Sequence, residues 1–146
     1  MTNEIVAVDL GLQLLVAGAF VLLMVVVHSA GLVGISRALR LHDEKSIPNE
    51  FGLRAAALMG SYGSLLFALH FGEILLFALF FHWVGAVHSM EEALYYSASN
   101  YATLGAPTAS FAEKWRLVGA LEALIGFVLI GWPTAFMVRT LRKIID

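Results

Sequence analysis

Glu73 and Glu122 stand inside long apolar runs of this 146-residue chain, and His70 precedes Glu73 by three positions. Ionisable groups are costly in lipid, so where they occur they pair, line a water-filled path or hold an ion. One helical turn apart, His70 and Glu73 face the same side. Their structural role would be hydrogen bonding to a neighbouring helix or to a short helix between the runs. Their chemical role would be half of a carboxylate-type metal site, with Glu122 and His28 as further ligands. A bundle site of that type needs a second matching motif on another apolar run, and neither of the other two runs has one. The other stretch able to do chemistry is Asn100–Thr108, NYATLGAPT, whose threonine and glycine offer a hydroxyl and accessible backbone carbonyls. Hard cations are coordinated by such oxygens. With no cysteine, thiolate catalysis, Cys-type zinc sites and iron–sulfur clusters are excluded.

The elements that must position these groups belong in a bilayer. Apolar residues make up 60% of the chain and charged residues 14%, with a mean hydropathy of +0.82. A soluble domain of this size cannot hide so much apolar surface. The net charge of −2 argues against a polybasic nucleic-acid or lipid-surface binder. Leu10–Ser36 carries no formal charge and is long enough for one crossing. Acidic Glu4 and Asp9 before it, and its length, argue for a retained span rather than a signal peptide. The second run, Ala55–Val87, is too short for two crossings and reads as one long or tilted helix. The third extends from Trp115 to Val138. The polar stretch Leu41–Gly52, with Pro48, reads as a loop.

Between the second and third runs, Ser89-Met-Glu-Glu92 has the form of a capping box, predicting a short helix through ALYYSASNY with Tyr95, Tyr96 and Tyr101 as its bulky residues. A span, a capped short helix, a Thr/Gly loop and another span are the parts of a re-entrant hairpin over about residues 88–114. Lys and Arg concentrate between the first two spans and in the C-terminal tail. The N-terminus and hairpin are therefore expected outside and the C-terminus in the cytoplasm. Gly60, Gly63 and Ser64, with Gly72, form a small-residue stripe suited to helix packing.

Together, SMEEALYYSASNYATLG and WRLVGALEALIGFVLIGWPTAF resemble the pore module of potassium-channel-type proteins, in particular small bacterial two-span pores, over about Ala55–Lys143. In that family an acidic-capped pore helix runs into a Thr-Thr-x-Gly-Tyr-Gly-Asp filter and a Gly-bearing inner helix. The resemblance implies an all-α membrane protein of three transmembrane helices plus a re-entrant pore helix and filter loop. It divides the chain into 1–52, an extra helix and cytoplasmic loop, and 53–146, the pore module. It also implies a homotetramer in the bilayer of the bacterial inner membrane, passing potassium or sodium ions without a cofactor, an enzymatic step or a nucleic-acid partner. By motif, Ala102 and Thr103 take the two threonine positions, Leu104 the variable one and Gly105 the first glycine. Ala106 stands for the tyrosine, Pro107 for the second glycine and Thr108 for the aspartate. Proline fixes φ near about −65° and removes a donor, so the outer half of such a filter is expected to be altered and its selectivity weak.

The same resemblance makes Ser89, Glu92, His70, Glu73 and Glu122 supports of the pore helix, with Glu122 behind the filter or paired with pore-helix groups. A cavity-lining Glu122 that attracts cations is the sharper alternative. Gly126, Gly131 and Pro133 become gate candidates, the glycines doubling as packing positions and the proline expected to kink its helix. Two rival readings stand beside a pore. One is a non-conducting, channel-derived scaffold or accessory subunit. The other is an intramembrane metal-binding protein using His70, Glu73 and Glu122.

Overall fold

The computed structural model describes residues 10–41, 52–106 and 111–145. It is all-helical, with no strand among the described residues, in the order α1 (Leu10–Ala38), α2 (Leu53–Trp83), α3 (Met90–Tyr101), a 3-10 turn (Glu113–Trp115) and α4 (Arg116–Ile145). Three helices, Leu10–Ala38, Leu53–Trp83 and the segment Glu113–Thr134, are long and apolar enough to cross a membrane. At about 1.5 Å per residue, α1 and α2 each exceed the roughly 30 Å of a hydrocarbon core. Much of their surface faces outward, as lipid-facing helices require: Leu15, Leu22, Phe67 and Phe71 are all exposed. The expected loop Leu41–Gly52, with Pro48, lies almost wholly outside the described residues.

α1, α2 and α3 all end in the same way. The donor two residues past each helix's final cap reaches back to a carbonyl in its last turn: Leu41 N–H to Ser36, Ala86 N–H to Phe81 and Leu104 N–H to Ser99. The residue before each of these donors takes a left-handed backbone, Arg40 at φ 52°, Gly85 at φ 66° and Thr103 at φ 61°. This is the Schellman arrangement, which satisfies carbonyls that the helix leaves open. Glycine favours that geometry, and only α2 supplies one. The sequence reading carried the second span to Val87; the Gly85 reversal stops the helix at Trp83 instead.

α4 runs through Pro133 as an uninterrupted helix. Proline has no N–H to give to the carbonyl four residues back. One position on, the Thr134 hydroxyl donates to the Ile130 carbonyl at 3.4 Å.

The chain divides into two compact units. The first comprises Met1–Met24 and Ile74–Phe127. Its core is aromatic. Phe20 stacks on Phe77 at a centroid separation of 4.7 Å, and the Phe80 ring meets Trp115 edge-on at 5.2 Å. Tyr96 and Phe111 lie flat on one another at 3.8 Å, with Phe81 edge-on to both. Such pairs add about 0.5–1.5 kcal/mol each beyond burial. The second unit comprises Val25–Glu73 and Val128–Asp146. Its apolar core is smaller, with Ile35, Leu41 and Tyr62 packed against Leu39, Leu58, Leu66 and Leu69.

Candidate functional site

The loop after α3 is prepared by α3 itself. Ser89 caps the helix, its Oγ accepting the Glu92 N–H at 3.1 Å. The return bond of the box is displaced by one residue: Glu92 Oε2 accepts from the N–H of His88 at 3.2 Å, not from Ser89. Glu91 and Glu92 in the first turn complement the positive end of the helix. Ala93, Tyr96, Ser97, Asn100 and Tyr101 form the buried face, while Tyr95 is exposed.

At the other end of α3, four successive N–H groups turn back to the helix. Thr103 donates to the Asn100 carbonyl at 2.7 Å, and Leu104 and Gly105 donate to the Ser99 carbonyl at 2.9 and 3.2 Å. Ala106 donates to Asn100 Oδ1 at 3.4 Å. No peptide among the described residues is cis. In a trans peptide the carbonyl points opposite to the following N–H. The carbonyls of Ala102, Thr103, Leu104 and Gly105 therefore face away from the end of α3. Residues 102–105 are also exposed, Leu104 at 81%. Gly105 holds φ at +74°, a conformation that only glycine adopts readily. Pro107 and Thr108 lie outside the described residues. Phe111 stacks on Tyr96, and the Ala112 N–H donates to the Ala86 carbonyl at 2.9 Å.

The first buried carboxylate is bonded to α3. Glu122 is fully buried and its Oε1 accepts a hydrogen bond from the Ser97 hydroxyl. Ser97 Oγ also lies 2.9 Å from the Ile74 carbonyl, so its single proton serves two acceptors. Glu122 Oε2 is buried without a hydrogen-bond partner. Glycines bring α4 against α3. A side chain at Gly126 would run into the Tyr101 carbonyl, and one at Gly119 into the Tyr96 ring. Gly131, by contrast, has no atom within 4 Å of where its Cβ would stand. Pro133 is buried.

The second carboxylate, in the other unit, is partnered differently. Glu73 is fully buried, with Oε1 2.9 Å from His28 Nδ1 and Oε2 3.2 Å from His70 Nδ1. The His28 ring lies 5.4 Å from that of His70 and 5.7 Å from that of Trp132. The neighbour supplying the second partner is α1, whereas the sequence reading looked to a neighbouring helix or the short helix without naming it. Of the residues read together as a metal set, His70 and Glu73 do cluster, and they do so with His28. Glu122 is engaged by Ser97.

Sequence reasoning passed over Ser97 and Asn100. Both follow Ala93 at helical spacing on the buried face of α3, so two polar residues on an apolar stripe were the available sign. The choice of partner across 25 residues for Ser97 and Glu122 had no local signature.

Three apolar helices, a short capped helix with a tethered loop, and buried carboxylates among the helices define an integral membrane protein. Residues 69–143, slightly over half of the chain, match the model of an ion-channel family, and the chain belongs to that family. No curated protein and no solved structure matches it.

Proposed function

We propose that the chain is a potassium-channel-like pore that passes monovalent cations passively, as a homotetramer, through a weakly selective filter at residues 102–106. The observation that carries this reading is the carbonyl row of Ala102, Thr103, Leu104 and Gly105 facing away from α3 while their N–H neighbours are held by it. Donors that converge on one helix end leave acceptors that diverge, so a single copy cannot close a cage around an ion. Copies arranged around an axis can, because each then supplies one side of every carbonyl ring. The open surface at Gly60 and Gly63, with nothing within 4 Å, leaves room for a neighbouring helix.

Thr103 to Gly105 form the ion-binding stretch, with Ala102 and Ala106 at its margins. Potassium or sodium is the permeant ion; permeation needs no cofactor and no covalent step, so the chain acts as a pore and not as an enzyme. A filter tyrosine is missing at Ala106, and the Tyr96–Phe111 stack braces the loop in its stead. Ser89, Glu92, Tyr95, Tyr96, Tyr101 and Glu122 support the short helix, and Gly126, Gly131 and Pro133 govern the inner end. Residues 53–146 form the pore module and 1–52 an added helix and loop. The N-terminus faces outward in a bacterial inner membrane.

Recording from purified protein in planar bilayers tests this. Cation-dependent unitary currents are expected; silence from folded, correctly assembled protein would favour the scaffold reading. Changing Ala106→Tyr together with Pro107→Gly should raise potassium-over-sodium discrimination. An unchanged reversal potential between the two ions would count against the placement of the filter.

A further inference from the structure

We propose that His28, His70 and Glu73 form a binding site for one divalent transition ion of the zinc class. The three residues each present a ligand atom, and these atoms all lie within 4.8 Å of one another. A tetrahedral ion with bonds of about 2.0–2.2 Å holds its donors roughly 3.3 Å apart. The His28 and His70 Nδ1 atoms lie 2.9 and 3.2 Å from the two different oxygens of Glu73, so a shared ion requires the carboxylate to turn and the rings to open around it.

The donor set selects the ion. Two imidazole nitrogens and one carboxylate oxygen suit zinc and its neighbours, whereas calcium and magnesium demand oxygen shells. Three protein ligands also leave a fourth position for water or another small ligand. The cluster holds a single carboxylate, and α1 adds only His28, so it lacks the further carboxylates of a two-metal bundle site.

For Glu73 to be bonded as a carboxylate, both rings must carry their proton on Nδ1. An ion held at those two nitrogens would take the place of these protons, and His28 would then carry its proton on the buried Nε2. His70 retains 18% side-chain exposure and provides the route of entry. The site is particular to this chain's own architecture, since His28 lies on α1, outside residues 69–143 that match the family. The ion would pin α1 to α2 within their shared unit, a role independent of whether the loop conducts.

The test uses the full-length protein in detergent, stripped with a chelator and titrated with zinc and with cobalt(II). One equivalent per chain is expected. Bound cobalt should show the intense visible absorption of a four-coordinate site, and X-ray absorption at the zinc edge should show two imidazole ligands. His28→Gln and Glu73→Gln should each abolish stoichiometric binding, while the double variant His82→Gln, His88→Gln should keep it. Failure of folded parent protein to bind an equivalent of either metal would overturn the site. So would binding that survives both His28→Gln and Glu73→Gln, or a zinc-edge spectrum without imidazole scattering. The spectra are read on the parent, so the outcome stands even if a variant does not fold.

Discussion

The two compact units each bury a glutamate inside a membrane-spanning helix, and they accommodate it by opposite means. In the unit built on the second half of α1 and the first half of α2, Glu73 has both oxygens engaged by imidazole nitrogens from two helices. In the other unit, Glu122 shares one hydroxyl proton with a backbone carbonyl and keeps one oxygen bare. Their surroundings differ in step. The Glu122 unit is aromatic and closely packed, with glycines that let backbone meet backbone or ring. The Glu73 unit has a thin apolar cluster, so its polar triad is a large part of what joins its helices. Close packing fixes the one unit and directed bonding the other, and each can be broken at its own weak point.

The largest effect is expected where packing leaves no room. A side chain at Gly126 collides with the Tyr101 carbonyl, and backbone cannot step aside as a flexible side chain can. Gly126→Leu should destabilise the protein by about 3 kcal/mol or more, beyond the usual range for overpacking. Gly131→Leu on the same helix should change stability by no more than about 0.5 kcal/mol, since its surroundings are open. Thermal unfolding in one detergent compares them directly. Equal effects would mean that α3 and α4 do not approach at Gly126 as described.

Next come the carboxylates themselves. Glu73→Leu strands two ring donors in a buried site, and unsatisfied buried donors cost about 1–3 kcal/mol each in water-soluble proteins. Hydrogen bonds in bilayers are worth less, because the unfolded helices find other partners there. A loss of about 2–3 kcal/mol is expected. Glu122→Leu removes an oxygen that already lacks a partner and frees the Ser97 proton for Ile74, so stability should stay within about 1 kcal/mol of the parent. Should Glu122→Leu prove the more damaging, the contrast between the two units is wrong. Between the two lies Ser97→Ala, which leaves Glu122 with no hydroxyl and should cost about 1–2 kcal/mol. Combining it with Glu122→Leu should recover most of that loss, as expected for residues that act through each other.

The same contrast explains what could be read from sequence. The three spans were legible because a charge-free run of sufficient length has few other stable forms. The short helix was legible because Ser89 and Glu92 stand at capping spacing. Features set by one helix against another were not. His28 and Glu73 meet across 45 residues, and helix periodicity says which face is apolar without saying which helix it meets. The helix ends were misleading in a particular way: Arg40 and Thr103 occupy left-handed positions for which glycine is the usual sign. Ala106 and Pro107 remain a departure from the resembled motif whose effect rests on the filter placement being right.

Thr103 is where the smallest effect should be most informative. Its φ of 61° carries a steric cost of about 1 kcal/mol relative to glycine, yet its N–H bond to Asn100 at 2.7 Å and that of Leu104 to Ser99 fix the loop's carbonyl row. If the threonine is present only because the helix must end, Thr103→Gly should stabilise the chain by up to about 1 kcal/mol and leave everything else unchanged. If the residue supplies an ion ligand, the same substitution should stabilise the fold while lowering unitary conductance or altering ion preference, because a hydroxyl is lost from the row of oxygens. Unfolding and single-channel recording on one preparation separate the two contributions. A variant both less stable and unaltered in permeation would show that the left-handed turn at Thr103 is misplaced, and with it the outward-facing carbonyls on which the pore reading depends.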